Sequence, residues 1–411
     1  MTTAQEITKP YTVGFASSNW VRITVDGKDE RAMGASLYYR GALVANELRA
    51  RGFGGWIGSV WRPDDDGAIE VMDHTDGTWH TPDVLWCQQW FSEELVESTH
   101  RARAAGQVVV CDIDDHYWRM PKTNEAYKIW ARQPESISYF EHMAACDAII
   151  TSTETLAYRA SRLGPPVFLA RNPVDSRWLT PHDPSDGQVS WIGSTPWRAH
   201  DLELFCEAKL DQWLKRRGQR FYHGGAMVPP ELTYAERMVG AHYRPFPTLS
   251  ELAGIDPSLI DERPNVPFVD YPWLWENVGV SLVPLEPVAF NRGKSWLKSL
   301  ESCAAGIPYV VSAGFVEQDA LIDEGSAGRT WAKGRELLDH LDDLQDPDVR
   351  RREGAQNRLV AERNDVRVRF VEWLAVFDQL IGSQQLAGQS FPVSHSEDES
   401  RYPYGTDSHI V

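Results

Sequence analysis

The sequence is poor in cysteine, and this scarcity argues against two kinds of site. Five cysteines occur among the 411 residues, and no two of them form a Cys-x-x-Cys pair. We therefore expect neither a disulfide framework nor a zinc site of the usual spacing. Scattered cysteines in apolar surroundings are typical of buried thiols in a reducing compartment, so the cytoplasm is the expected location.

Long apolar runs and a surplus of positive charge are also missing. No stretch approaches the roughly 18 uninterrupted apolar residues that a membrane-spanning helix needs. The N-terminus lacks a basic segment followed by an apolar core, so we expect no signal peptide. The 41 basic and 59 acidic residues give a formal net charge of −18. This charge disfavours a broad nucleic-acid surface, which needs clustered Lys and Arg, but it leaves room for a local basic groove.

What the sequence does contain is an alternation of strand-like and helical segments over most of its length. Hydrophobic residues make up 42 % of the chain, enough for sizeable cores, and 411 residues suit two domains. Strands that alternate with helices predict an α/β fold with parallel sheets. We therefore predict two Rossmann-like, doubly wound domains that face each other across a cleft, with the chemistry at the carboxyl ends of the strands.

A proline-rich segment divides the chain. Residues 172–187 contain three prolines and few apolar residues, which is typical of a linker. We predict an N-terminal domain over 1–175, a linker over 176–187 and a C-terminal ligand-binding domain over 188–360. A helix over 361–382 would then cross back to the N-terminal domain. The remaining residues, 383–411, would form a polar, poorly ordered tail.

The most informative segment covers residues 290–314. On one helix, Lys294, Lys298 and Glu301 would lie at positions i, i+4 and i+7 and face the same way. Gly306-Ile307-Pro308 then ends the helix before an apolar strand. Cations near a helix start, with a carboxylate one turn later, suit a ligand that carries a diphosphate and a ribose. The same spacing also occurs on ordinary solvated helix faces with internal ion pairs, so the context must decide.

Two glycine turns after predicted strands supply part of that context. Gly193 allows close approach of the backbone, Ser194 offers a hydroxyl, and Arg198 would reach a phosphate across the cleft. Gly224 lies in a second turn, which either approaches a nucleotide base or is a simple tight turn. Together with Lys294 and Lys298, these turns indicate a donor-binding edge of one sheet.

The run that begins at Glu301, ESCAAGIP, has the form E-x-x-A-x-G-x-P. It resembles the donor-site signature of GT-B retaining glycosyltransferases, the family-4-like "glycosyl transferases group 1" of bacteria and phages. The resemblance implies that Glu301 holds the nucleotide ribose and that Lys298 contacts the diphosphate. The family often has an acid eight residues before the glutamate, where this chain has Gly293. At this position the backbone amides would instead face the sugar or phosphate.

The resemblance also implies an activity. The protein would transfer a hexosyl or pentosyl group from a nucleoside diphosphate sugar to an acceptor hydroxyl, with retention and without a metal or other cofactor. Arg198, Lys294 and Lys298 would stabilise the leaving diphosphate. Gly34 occupies the place of the family's glycine-rich loop near the donor sugar, and Arg40 would contact phosphate or acceptor. A glycan, a protein side chain or a modified DNA base would serve as acceptor.

A second group of residues follows the apolar strand that starts at residue 108. Asp112, Asp114, Asp115 and His116 lie at its carboxyl end. Such closely spaced carboxylates repel one another unless a cation or hydrogen bonds compensate, so the cluster is a candidate functional site. In the glycosyltransferase interpretation, Asp114 or Asp115 orients the acceptor hydroxyl and His116 contacts the sugar.

Other interpretations of this cluster stay open. It would serve as a metal-binding D-x-D of the single-domain GT-A type, or as the nucleophile motif of a haloacid-dehalogenase-like phosphatase built on Asp112 and Asp114. A purely structural role is a further possibility, with Asp112 capping a turn and His116 packing in the core. A catalytically silent nucleotide-binding module is the alternative for the whole chain.

Overall fold

The computed structural model describes residues 10–25, 28–89, 93–124, 127, 135–226 and 247–385. The predicted tail lies outside the described residues from position 386 onward. The sequence also predicts a helix near 124–145 and a poorly periodic insert over 226–265, and parts of both lie outside the described residues. In the parts of the chain that are described, no helix combines the length and the apolar composition needed to cross a membrane.

The first half of the chain forms a six-stranded, fully parallel sheet. Its strands lie in the spatial order Val167–Leu169, Ala148–Thr151, Val108–Ile113, Val84–Gln88, Thr12–Ser17 and Gly54–Gly58. Every residue of Val108–Ile113 is buried, as expected for a strand covered on both faces. The helices of this half are Ala35–Leu37, Leu43–Ala50, Glu93–Ala104, Glu135–Ala145 and Glu154–Ala160, with a π-helical turn at Tyr38–Ala42 and a 3-10 turn at Tyr117–Arg119.

Two small antiparallel additions accompany this first sheet. One pairs Trp20–Val25 with Lys28–Met33. The other joins Trp61–Pro63, Ile69–Met72 and Trp79–His80. The main sheet therefore keeps its parallel, doubly wound arrangement, and the additions extend the connections between its strands.

The second half forms another six-stranded parallel sheet. The spatial order is Ile260–Pro264, Phe221–Ala226, Gln188–Ile192, Val278–Val283, Tyr309–Ser312 and Arg329–Trp331. Its helices are Ala199–Glu207, Leu210–Arg217, Leu249–Ala253, Ala289–Arg292, Leu297–Ala304, Val316–Asp323, Gly334–Asp343 and Pro347–Arg363, with 3-10 segments at Pro184–Asp186, Thr195–Trp197, Pro257–Leu259 and Phe268–Trp275. Numbered along the chain, the strand order is that of a dinucleotide-binding sheet, in which ligands bind at the carboxyl ends of the strands. The predicted fold class is confirmed.

The last helix, Val366–Gln385, returns to the first half of the chain. A backbone bridge between Val174 and Asp365 precedes it. Phe370, Trp373 and Phe377 then share a buried core with residues of the first sheet. This return packs the helix against the domain that the first sheet forms.

Candidate functional site

The segment expected to form a single helix from residue 290 is broken in the structure. Helix Ala289–Arg292 ends at Gly293, and a new helix starts at Leu297. Trp296 directly precedes the new helix, and its fully buried side chain donates a hydrogen bond from Nε1 to the carbonyl of Asn172 at 3.0 Å. Lys294 lies between the two helices, so the prediction that it shares a helix face with Lys298 and Glu301 was wrong.

Lys298 and Glu301 lie on the helix Leu297–Ala304, as predicted. The Lys298 Nζ atom is 2.9 Å from Glu301 Oε2 and 2.5 Å from the Tyr271 hydroxyl. Tyr271 donates to Glu301 Oε2 at 2.8 Å, and Tyr39, from the first half of the chain, donates to Oε1 at 2.7 Å. Burial raises the pKa of both tyrosines well above the usual value, so their hydroxyls stay protonated donors at neutral pH. Glu301 is 1 % exposed, so its carboxylate is satisfied inside the protein.

Lys294 connects the two halves of the chain. Its Nζ atom forms an ion pair with Asp115 Oδ2 and lies 4.2 Å from the centre of the Phe290 ring. Burial lowers the pKa of Lys294 and raises that of Asp115, while the charge of each partner acts in the opposite direction. The acidic run and the 290–314 segment, predicted independently, therefore meet in one partly buried ion pair.

The neighbours of Asp115 are also engaged. Asp114 accepts a hydrogen bond from the Tyr117 hydroxyl. His116 is buried, with its Nδ1 atom 3.0 Å from the carbonyl oxygen of Ala289. The loop that follows strand Val108–Ile113 is thus held against the start of the 290–314 segment by both Asp115 and His116.

Asp112 has a structural partner that the sequence did not indicate. Arg40 Nε and Nη2 donate to its two carboxylate oxygens at 2.7 and 2.6 Å, and both side chains are fully buried. Burial raises the pKa of Asp112 to about 6, against the effect of the nearby Arg40 charge. A nucleophile whose two oxygens are bound to a guanidinium is not available to a phosphate ester, so the phosphatase interpretation is not favoured. The expectation that Arg40 contacts phosphate or acceptor was wrong, because its guanidinium points into the core of the first domain.

The glycine turns pack against each other at the carboxyl edge of the second sheet. The Gly193 amide donates to the Gly224 carbonyl at 2.9 Å, and His223 Nε2 lies 3.0 Å from the Gly193 carbonyl oxygen. Among the described residues, the buried Ser194 Oγ atom has no hydrogen-bond partner. These contacts give both glycines a local structural role and leave the Ser194 hydroxyl unused.

Arg198 lies beside the Lys294–Asp115 pair. It forms a 3.3 Å ion pair with Asp201, which also accepts a 2.6 Å hydrogen bond from Asn291. The charge of Arg198 acts on the pKa of both Asp115 and Lys294, which places the guanidinium within electrostatic reach of them. Gly34 differs, because its contacts are local: a Cβ atom there would lie 1.9 Å from Asn19 Oδ1.

Sequence reasoning missed several residues that bind Glu301 or join the two halves. Tyr39 and Tyr271 carry the hydrogen bonds of Glu301, although they lie 262 and 30 positions from it along the chain. Arg171 forms a 2.9 Å ion pair with the buried Glu317. The paired tyrosines before Arg40 and the aromatic run around Tyr271 were the available signals, but no spacing rule relates them to Glu301.

Gly293 permits the close approach of the two halves, and its replacement by alanine is a first test. A Cβ atom at Gly293 would lie 2.9 Å from His116 Cβ, although the backbone itself (φ −83°) accepts alanine. We expect Gly293→Ala to lower the thermal unfolding midpoint by about 3–8 °C through overpacking. Gly382→Ala is the matched control, because that position has open space on a helix. Equal midpoints for the two variants, measured by calorimetry, would contradict this close contact.

Comparison with known proteins agrees with this architecture. No protein-family model and no curated protein sequence matches the chain. Sucrose-phosphate synthase from Thermosynechococcus elongatus is 13 % identical with a TM-score of 0.59, over 90 % of this chain and 100 % of that one. Trehalose 6-phosphate synthase from Burkholderia multivorans is 14 % identical with a TM-score of 0.55, over 93 % and 100 %. Anabaena HepE in complex with UDP is 11 % identical with a TM-score of 0.53, over 90 % and 100 %. With its two parallel sheets and returning helix, the chain has the two-domain GT-B fold found in these glycosyltransferases.

Proposed function

We propose that this protein is a glycosyltransferase that moves a sugar from a nucleoside diphosphate sugar to an acceptor hydroxyl. The observation that carries the proposal is the meeting of Lys294, on the second sheet's side, with Asp115, at the carboxyl end of a first-sheet strand. A cation and a carboxylate from opposite domains therefore line the junction where GT-B enzymes would hold donor and acceptor. The UDP in the HepE structure supports a uridine nucleotide as the first donor to examine.

Three cations are assigned to the donor. Lys298 is the most exposed of them, with 35 % of its side chain accessible, against 26 % for Arg198 and 14 % for Lys294. We assign Glu301 to the ribose, Lys298 to the diphosphate, and all three cations to the charge that grows on the leaving group. The unused Ser194 hydroxyl is a further donor to a phosphate oxygen. Since these side chains supply the positive charge, the proposed transfer needs no metal ion.

The acceptor is assigned to the first domain. In transfer, the bond between the sugar C1 and the diphosphate oxygen breaks with its electron pair left on the diphosphate, the acceptor oxygen bonds to C1, and the acceptor's hydroxyl proton passes to the departing diphosphate. We assign Asp114 or Asp115 to the orientation of that hydroxyl, and His116 to contact with the sugar. Lys294 would leave Asp115 for the diphosphate, which frees this carboxylate for the acceptor. The family resemblance supports retention at C1, and a glycan, a protein side chain and a modified DNA base all fit as acceptors, although the negative net charge disfavours DNA.

A nucleotide screen tests the proposal directly. Purified protein is heated with UDP, GDP, TDP or ADP and with the corresponding sugar nucleotides. We expect one base to raise the unfolding midpoint by several degrees, because a ligand that binds only the folded state stabilises it. We also expect slow release of nucleoside diphosphate from the matching donor, since water replaces an absent acceptor.

Three outcomes would count against the proposal. If no nucleotide shifts the midpoint, the donor site is wrong. If a nucleotide binds but no sugar nucleotide is ever turned over, the chain is a nucleotide-binding module. Magnesium-dependent release of phosphate that is lost in Asp112→Asn would favour the phosphatase instead.

A further inference from the structure

The Glu301 carboxylate already has hydroxyl partners. Tyr39 donates to one oxygen at 2.7 Å and Tyr271 to the other at 2.8 Å. This is the pattern that the two hydroxyls of a ribose would make with the same carboxylate. Glu301 is 1 % exposed, so a nucleotide cannot reach it without displacing a tyrosine.

The two tyrosines differ in how they are attached. Tyr271 lies in the 3-10 segment Phe268–Trp275 of the domain that also carries Glu301. Tyr39 belongs to the π-helical turn Tyr38–Ala42 of the other domain, and π-helical turns are frequent at functional sites. The hydrogen bond from Tyr39 is therefore the one that opening of the cleft would break.

The turn that carries Tyr39 is held in the first domain by the residue next to it. The next residue, Arg40, points the opposite way and makes two bonds to Asp112 and one each, at 2.8 Å, to the Ala170 carbonyl and to Asn172 Oδ1. Tyr39 itself is fully buried within the core of the second domain. One turn thus anchors Arg40 in one domain and inserts Tyr39 into the other.

Aromatic rings close the space around this contact. Phe268 lies 5.6 Å edge-on from Tyr39 and 5.0 Å from Tyr271 in a stacked geometry, measured between ring centres. Trp178, from the predicted linker, stacks on Phe268 at 5.1 Å. Rotation of Tyr39 alone would collide with these rings, so release of Glu301 requires the Tyr39 turn and the aromatic cluster to move apart.

From this arrangement we propose that Tyr39 is an internal competitor of the donor: its hydroxyl occupies the ribose position on Glu301 and must leave before a ribonucleoside diphosphate binds. The inference rests on the proposed function and adds a residue that sets donor affinity. In this structure the side chains of Tyr39 and Tyr271 cover the Glu301 carboxylate. Donor binding then requires the cleft to open first.

Replacing Tyr39 by phenylalanine tests the competition. The ring keeps its packing, but Glu301 Oε1 loses its hydroxyl donor, so nucleotide no longer has to break that bond. We expect Tyr39→Phe to bind UDP, or whichever nucleoside diphosphate the screen identifies, about tenfold more tightly in isothermal titration, the size of one hydrogen bond to a charged group. The association rate in stopped-flow fluorescence should rise as well. Without nucleotide, the radius of gyration from small-angle scattering should increase.

Tyr38→Phe is the matched control, because Tyr38 lies in the same turn, packs 4.9 Å from Trp178 between ring centres, and is not among the hydrogen-bond partners of Glu301. We expect it to bind nucleotide like the wild type. If Tyr39→Phe binds no more tightly than Tyr38→Phe while both bind, the competition is wrong and the donor site stands. If neither variant nor the wild type binds any nucleoside diphosphate, the donor site itself is wrong and the competition fails with it.

Discussion

Replacing Lys298 by methionine is expected to lower kcat/KM for glycosyl transfer by about 10²–10³-fold, the usual cost of removing one group that stabilises charge in the transition state. The reason is its position. Its ammonium group contacts both Glu301 and Tyr271, yet 35 % of the side chain is accessible, so it can turn to a diphosphate without leaving the site. Methionine keeps the length and apolar stem of the side chain and removes only the charge.

The control for this prediction is Lys215→Met. Lys215 lies on the outer helix Leu210–Arg217 of the same domain and pairs with Asp211 and Asp256 at the surface. Exposed ion pairs of this kind contribute little, so its kinetics should match the wild type. The measurement is initial-rate transfer over a range of donor concentrations, after the screen has identified the donor. A Lys298→Met enzyme within threefold of Lys215→Met would place the diphosphate elsewhere.

The architecture could be predicted because it depends on local rules. Buried apolar strands such as Val108–Ile113, each followed by a helical segment, leave few alternatives to parallel sheets. The sequence also predicted that the helix would end at Gly306. In the structure this residue has a φ of +70°, which glycine adopts without strain.

The site could be predicted only in part, because its contacts join distant segments. The sequence selected Lys294 and Asp115 separately, and the structure pairs them over 179 positions. It did not predict the break between Gly293 and Leu297, where the Trp296 indole donates a hydrogen bond to the distant Asn172 carbonyl. Nor did it predict the partners of Asp112 and Glu301. A buried carboxylate requires donors, but the sequence does not say which ones will fold against it.

Arg40→Met is expected to destabilise the protein by about 3–5 kcal/mol, because it removes one member of a fully buried ion pair and leaves the Asp112 carboxylate without an opposite charge. Of the partners of Asp112 in the structure, Gln88 at 3.3 Å would remain. The unfolding midpoint should fall by about 10 °C. Arg49→Met is the control, since that arginine is 39 % exposed and lies 3.8 Å from Asp73. Its midpoint should stay close to that of the wild type.

Two further measurements separate the unpaired charge from lost packing. The double variant Arg40→Met/Asp112→Leu removes both charges and should recover most of the lost stability. A double variant no more stable than Arg40→Met would show that packing dominates.

The stability lost in Arg40→Met should also depend on pH. Without Arg40 the pKa of Asp112 rises further above its value in the unfolded chain, so the native state binds the extra proton as pH falls. Stability of Arg40→Met relative to the wild type should therefore improve from pH 8 to pH 5, because neutral Asp112 is cheaper to bury than the carboxylate. A penalty that is equal at both pH values would contradict the role assigned to the Asp112 charge.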